Sequence, residues 1–106
     1  MFLGVAYHKL GKHKKAIEAY KQAIKINPDY AEAHSNLGVA YGDLGKHEEE
    51  IESFKQAIKL DPDFEQAHFC LGYYYDKLGK YEEAIESFKQ AIRINPDYAE
   101  AHVNLG

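Results

Sequence analysis

Six histidines are the residues of this chain that first suggest chemistry, because imidazole is a common ligand of zinc. Three of them, His34, His68 and His102, are evenly spaced along the chain, which favours a repeated packing role. No two histidines have the His-x-x-x-His spacing that places two rings on one face of a helix. Cys70 is the single cysteine, so a thiolate pair is excluded. The spacing therefore predicts neither a metal site nor a cofactor.

The acidic residues and the thiol supply no catalytic set either. The runs 48–50 and 82–83 are all glutamate and lie where helices are predicted to begin, which is typical of a solvated surface. Cys70 and His68 are two positions apart, so on a helix their side chains point to different sides. No nucleophile with a base and an orienting group, and no glycine-rich phosphate loop, is found. We expect a protein that is not an enzyme.

The charge, the apolar runs and the cysteine content limit the classes of partner that we expect. The 106 residues include 13 Lys and Arg against 17 Asp and Glu, a formal net charge of −4, which is not the basic footprint of a nucleic-acid-binding protein. No apolar run approaches the roughly 18 residues that span a bilayer, and no signal-peptide pattern opens the chain. A single cysteine fits a reducing compartment. The expectation is a cytoplasmic protein that binds neither nucleic acid nor membrane.

The chain repeats itself at a fixed interval. Residues 31–64 match residues 65–98 at more than half of the aligned positions, residues 1–30 align in the same register, and residues 99–106 restart the unit. A repeat unit of this size must bury its apolar face on its neighbours. We predict one domain spanning 1–106, and the chain has the pattern of a piece of a longer array.

Each unit is predicted to contain two helices, because its apolar residues recur at spacings of three and four. In the middle unit, the first run is Ala33, Leu37, Ala40, Tyr41 and Leu44, and the second is Ile51, Phe54, Ala57, Ile58 and Leu60. A Leu-Gly-Lys break separates the runs at Gly11, Gly45 and Gly79. Glycine tolerates the left-handed conformation that commonly ends a helix, so a tight turn is expected there.

A proline-containing turn is predicted to separate the units. Asn-Pro-Asp or Asp-Pro-Asp occurs once in each unit, and the proline cannot continue the preceding helix. The following aspartate is expected to cap the next helix, with Glu or Gln three residues later as in a capping box. These pairs are Asp29 with Glu32, Asp63 with Gln66, and Asp97 with Glu100.

The pattern of the unit resembles that of the tetratricopeptide repeat family over the whole chain. The matching positions in the third unit are Leu71-Gly72 and Tyr75 in the first helix, then Ala84, Phe88, Ala91 and Pro96. The resemblance implies an all-α fold: an α-solenoid of antiparallel helix-turn-helix repeats in a right-handed superhelix. It also implies a concave groove, lined by the first helix of each pair, that binds other proteins.

Two residues depart from the pattern of the repeat. Glu50 stands where the other units have Ala16 and Ala84, and Tyr74 stands where they have Ala6 and Ala40. A buried carboxylate without a partner is costly, so Glu50 must reach solvent, find a donor or loosen the middle unit. We hypothesise that the two departures compensate each other.

The resemblance also implies which residues line the groove. They vary between units while the packing positions repeat, and they include an aromatic pair, Phe69 and Tyr73, one turn apart and suited to anchoring a peptide. The groove residues are Val5, His8, Lys9, Glu32, Ser35, Asn36, Val39, Asp43, Gln66, Phe69, Cys70, Tyr73, Asp76 and Lys77. Glu100, Val103 and Asn104 extend the set.

One specialisation of the family is only weakly matched. Some members hold the C-terminal carboxylate of heat-shock chaperones with Lys, Asn and Arg residues in these positions. Of that clamp only Asn36 is present here, and the basic positions hold Met1, Gln66 and Cys70. The resemblance therefore predicts a peptide-binding scaffold of different specificity. The alternative is a self-assembly module, in which uncovered apolar ends stack copies of the chain head to tail.

Overall fold

The structure is a computed structural model, and it describes residues 2–97 of the chain. Within this range six helices and no strand are found. The helices are α1 (Phe2–Lys9), α2 (His13–Ile26), α3 (Ala31–Asp43), α4 (His47–Leu60), α5 (Glu65–Lys77) and α6 (Tyr81–Ile94). The prediction of an all-α repeat fold is confirmed. The partial unit 99–106, with Glu100, Val103 and Asn104, lies outside the described residues, as does Met1.

Every helix packs against the next helix in the chain, so the three helix pairs stack in sequence order. The core consists of two apolar clusters. The first joins α2 to α3 through Ile17, Tyr20 and Leu37. The second joins α4, α5 and α6 through residues that include Phe54 and Phe88. Phe54 therefore connects the middle helix pair to the third.

The turn inside each pair has the predicted conformation. Gly45 has a φ of +75°, which L side chains rarely adopt. Its N–H donates to the carbonyl oxygen of Gly42 at 2.9 Å, and the N–H of Lys46 donates to that of Tyr41 at 2.9 Å. Gly11 and Gly79 also have positive φ values, so glycine ends the first helix of all three pairs.

The turn between pairs differs from the prediction. The capping residue of α3 is Tyr30, and no side chain caps that helix, so the proposed role of Asp29 was wrong. Instead, Asn27 Oδ1 accepts a hydrogen bond from the backbone N–H of Asp29 at 3.3 Å. This Asx turn folds the backbone around the proline, and the helix begins only after the aspartate. The same bond forms from Asp63 and from Asp97 in the later turns.

The repeated histidine links the turn between pairs to the helix that follows it through a hydrogen bond. His68 is buried, and its Nε2–H donates to the carbonyl oxygen of Pro62 at 2.9 Å. His34 forms the equivalent bond to Pro28 at 3.2 Å. Because a carbonyl oxygen only accepts, each ring carries a proton on Nε2. The two histidines therefore have the packing role that their spacing predicts.

Among the described residues, no helix is both long enough and apolar enough to cross a membrane.

Candidate functional site

The predicted groove residues lie on α1, α3 and α5, the first helices of the three pairs. We keep the term "predicted groove" for this set. Seven members are exposed and six are half-buried. The exposed members are Lys9, Glu32, Asp43, Gln66, Tyr73, Asp76 and Lys77. The half-buried members are Val5, His8, Asn36, Val39, Phe69 and Cys70.

Ser35 is the exception. Its side chain is only 2% exposed, so a ligand cannot reach it, and its inclusion among the groove residues was wrong. A serine side chain stays close to its own helix, and α3 packs against both α2 and α4, so neighbouring side chains cover it. The equivalent position on α5 holds Phe69, a larger side chain that remains half-buried.

Val39, on α3, and Phe69 and Tyr73, on α5, are apolar and aromatic members of this set; we call these three residues the strip. Val39 and Phe69 pack their inner sides on the second core cluster, and the ring of Phe69 lies 5.8 Å from that of Phe88. Tyr73 is 39% exposed. Its ring has the Lys77 ammonium nitrogen 4.7 Å from the centroid. The strip thus combines apolar side chains that pack on the core with the Lys77 ammonium group beside Tyr73.

Glu50 lies beneath this face and is fully buried. Its Oε1 is 2.9 Å from Nδ1 of His47, while its Oε2 has no hydrogen-bond partner among the described residues. The carboxylate occupies the space that a Cβ atom on Gly42 would fill. Of the three possibilities for Glu50, a donor is therefore found, and Gly42 provides the room.

Tyr74 closes the same space from α5. Its ring stacks on Phe54 with centroids 5.8 Å apart, and its Cζ is 3.1 Å from the position of a Cβ on Gly42. The two departures noticed in the sequence, Glu50 and Tyr74, thus adjoin the same glycine. The contribution of Gly42 was missed, although the first and third units carry His8 and Asp76 at that position.

Burial shifts the acid–base behaviour of both groups. It raises the pKa of Glu50 above its ordinary value, while the hydrogen bond from His47 and the charges of His47 and Lys77 oppose the shift. Burial also raises the pKa of Tyr74, and the nearby carboxyls of Glu50 and Asp43 add to that effect. The Glu50 carboxyl is consequently easier to protonate in the folded chain than in the unfolded one.

This shift predicts that the middle pair gains stability as the pH falls. Between the ordinary value of 4.5 and its raised pKa, the Glu50 carboxyl binds more protons in the folded chain than in the unfolded chain, so its contribution to the free energy of unfolding rises on acidification. We expect the wild type to gain stability relative to Glu50→Gln as the pH is lowered from about 8 towards about 4.5. Urea unfolding of both proteins across this range measures the difference, from which the titrations of groups that do not interact with Glu50 cancel. A difference that stays constant or shrinks on acidification would contradict the prediction.

Three side chains from three helices meet where α3 ends at Asp43. Nε2 of His8, on α1, lies 3.4 Å from Oδ2 of Asp43, on α3, and Nδ1 of His13, on α2, lies 3.7 Å from the same oxygen. The two rings meet edge to face with centroids 5.4 Å apart. Sequence spacing did not reveal this cluster, because no two of its members share a helix.

The chain belongs to the tetratricopeptide repeat family. The family model described as TPR repeat matches residues 4–45, 40–79 and 73–106, which together span almost the whole sequence. Among curated proteins, a search finds none that matches. The family match therefore agrees with the all-α fold of repeated helix pairs.

Solved structures similar to this chain include proteins with and without a bound peptide. The crystal structure of MamA is 30% identical, with a TM-score of 0.92, and the match covers 97% of this chain and 60% of that one. The second TPR domain of human RPAP3, in complex with the HSP70 peptide SGPTIEEVD, is 31% identical, with a TM-score of 0.90 and coverage of 96% and 85%. The first TPR of Spaghetti (RPAP3), bound to the HSP90 peptide SRMEEVD, is 26% identical, with a TM-score of 0.92 and coverage of 96% and 81%. This chain thus spans less than two thirds of MamA.

Proposed function

We propose that this chain is a protein-protein interaction scaffold whose predicted groove holds a peptide segment of a partner protein. The observation that carries the proposal is the strip formed by Val39, Phe69 and Tyr73, with Lys77 at its edge. Aromatic side chains are the usual anchors of protein interfaces, and here Tyr73 is exposed while Phe69 packs on the core. The function requires no catalytic residue and no organic cofactor.

The chemistry of the strip favours a peptide with an apolar side chain next to a carboxylate. The apolar side chain would lie on Phe69 and Tyr73, and the carboxylate would reach the Lys77 ammonium group. Two similar structures hold short peptides rich in glutamate, which supports a peptide as the ligand class. The basic clamp positions are occupied by Gln66 and Cys70 in this chain, so we expect a different peptide sequence.

Replacing Tyr73 with alanine is expected to weaken peptide binding about 30-fold, the effect of losing an interface anchor worth roughly 2 kcal/mol. The probes are peptides selected on the purified wild-type chain from a library of random peptides, labelled with a fluorophore. Fluorescence anisotropy then measures the affinity for the wild type and the variant. Tyr73 is exposed, so its removal should leave the fold intact, which circular dichroism can verify.

Tyr81→Ala is the matched control, because Tyr81 is an exposed tyrosine on α6 and is not a groove residue. It should leave the affinity unchanged. If the two variants bind alike, the groove is not the site of peptide binding. The peptide SRMEEVD is included as a competitor. We expect it to displace the selected peptides poorly, because the positions of the basic clamp residues hold Met1, Gln66 and Cys70 in this chain.

Self-assembly is the second candidate function, and exposed apolar side chains at both ends of the described stack favour it. Leu3 and Ile26, in the first pair, are 61% and 84% exposed, and Tyr81 and Ile85, in the third pair, are 62% and 41% exposed. Light scattering during the peptide titrations separates the two candidates. A mass of one chain at every concentration supports the groove function, whereas a mass that climbs with concentration supports head-to-tail assembly.

A further inference from the structure

We propose that His8, His13 and Asp43 form a binding site for a divalent transition-metal ion of the zinc type. The three residues each offer one ligand atom, and these atoms all lie within 4.8 Å of one another. Two imidazole nitrogens and a carboxylate oxygen are a donor set that zinc accepts readily, with a water molecule as the fourth ligand. The proposal does not rest on peptide binding, although His8 and Asp43 also belong to the predicted groove.

The distances are close to those of a coordinated ion. Around a tetrahedral zinc ion with bonds of about 2.0–2.1 Å, neighbouring ligand atoms are separated by roughly 3.4 Å. The distance from His8 Nε2 to Asp43 Oδ2 is 3.4 Å, and that from His13 Nδ1 to the same oxygen is 3.7 Å. All three ligand atoms lie within 4.8 Å of one another, so side-chain rotations that shorten the widest separation would bring them around one ion.

The burial of the His13 nitrogen also favours a bound ion. Nδ1 of His13 is buried and has no hydrogen-bond partner among the described residues. At 3.7 Å, the Asp43 oxygen is too far away to accept a hydrogen bond from it. Nδ1 of His8 is also buried without a partner among the described residues, but it is Nε2 of this ring that lies near Asp43, so an ion at this site would account for the His13 nitrogen alone. A buried polar atom in this state calls for an explanation such as a bound ion.

The chemistry of the donors selects the class of metal. Imidazole suits zinc, copper, cobalt and nickel, whereas magnesium and calcium prefer a shell of oxygen atoms. The single carboxylate of Asp43 offsets part of the charge of the ion. The side chains of His8 and Asp43 are 30% and 36% exposed, so an ion can enter from solvent.

The site would fasten the first helix pair to the second. His8 and His13 belong to α1 and α2, whereas Asp43 ends α3. An ion that binds the folded chain but not the unfolded chain shifts the equilibrium towards the folded chain by mass action. It would therefore stabilise the packing between these pairs. The equivalent residues one unit later are Gly42, His47 and Lys77, of which only the histidine can bind a metal.

The test uses the full chain without an affinity tag. Calorimetric titration with zinc chloride is expected to show one ion per chain, and the visible absorption of the cobalt(II) form should indicate a four-coordinate site. Zinc should also raise the thermal unfolding midpoint, and magnesium chloride should not. His13→Gln and Asp43→Asn should each weaken zinc binding by at least about tenfold, since even the outer partners of metal ligands contribute that much.

His47→Gln is the matched control, because His47 occupies the position of His13 in the middle unit. It should bind zinc like the wild type. Failure of the wild type to bind zinc would overturn the proposal, as would equal affinities of His13→Gln and His47→Gln. Asp43→Asn preserves the size of an exposed side chain and therefore keeps the test valid if a histidine variant folds poorly. If zinc raises its unfolding midpoint as much as that of the wild type, the proposal is wrong.

Discussion

Replacing Phe54 with alanine is expected to cost about 3–5 kcal/mol of unfolding free energy, the largest effect of any single change considered for this chain. Phe54 is fully buried and belongs to the cluster that joins α4, α5 and α6. Its ring stacks on Tyr74 and lies 3.1 Å from the position of a Cβ on Gly38. The substitution therefore removes contacts with two helices and leaves a cavity between helix pairs.

Because a domain of this size is stable by only about 5–15 kcal/mol, this loss should move the urea midpoint far down. Phe64→Ala is the matched control, since Phe64 is a half-buried phenylalanine in the turn between pairs, and it should cost much less. Equal losses for the two variants would show that the contact between the second and third pairs does not dominate the stability of the stack.

The positions of the helices could be predicted from the sequence because three levels of information agreed. The spacing of residues such as Leu37 and Ala40 indicated helices, Gly45 indicated where α3 ends, and the regular repeat indicated that neighbouring pairs share a core. The role of Asp29 could not be read in this way. The Asn27 side chain binds the backbone N–H of Asp29 in an Asx turn, the helix begins only after Asp29, and only the folded turn decides which local side-chain bond forms.

The candidate sites also differ in how far helical spacing could predict them. The exposure of Tyr73 and the partial burial of Phe69 follow from helix faces that spacing defines, whereas peptide binding by the strip stays a prediction. The cluster of His8, His13 and Asp43 could not be predicted, because spacing along one helix carries no information about atoms that three helices bring together. The link between Gly42 and Glu50 was available in principle, since both residues depart from the other units in the same unit.

Replacing Gly42 with alanine is expected to be destabilising in the wild type and stabilising in the Glu50→Ala background. In the wild type, the new methyl group would meet the Glu50 carboxylate, and overpacking of this kind costs about 1–3 kcal/mol. Without that carboxylate the remaining close neighbour is Cζ of Tyr74, 3.1 Å from the new methyl group, and a small shift of the ring into the vacated space relieves this contact. Gly42 does not have a positive φ, so alanine fits the helix and gains up to about 0.5–1 kcal/mol over glycine.

A double-mutant cycle measured by urea unfolding tests this reversal, and we expect a coupling energy of about 2 kcal/mol between the two positions. Glu49→Ala supplies the matched control: Glu49 is the exposed neighbour of Glu50 on the same helix, and its removal should leave the cost of Gly42→Ala unchanged. A coupling near zero would mean that Glu50 swings out to solvent when the methyl group arrives. Such an outcome would show that the buried carboxylate is not held in place by its hydrogen bond to His47 and by the ring of Tyr74. A large coupling would instead establish Gly42 as the residue that allows this unit to bury a charge where its neighbours bury alanine.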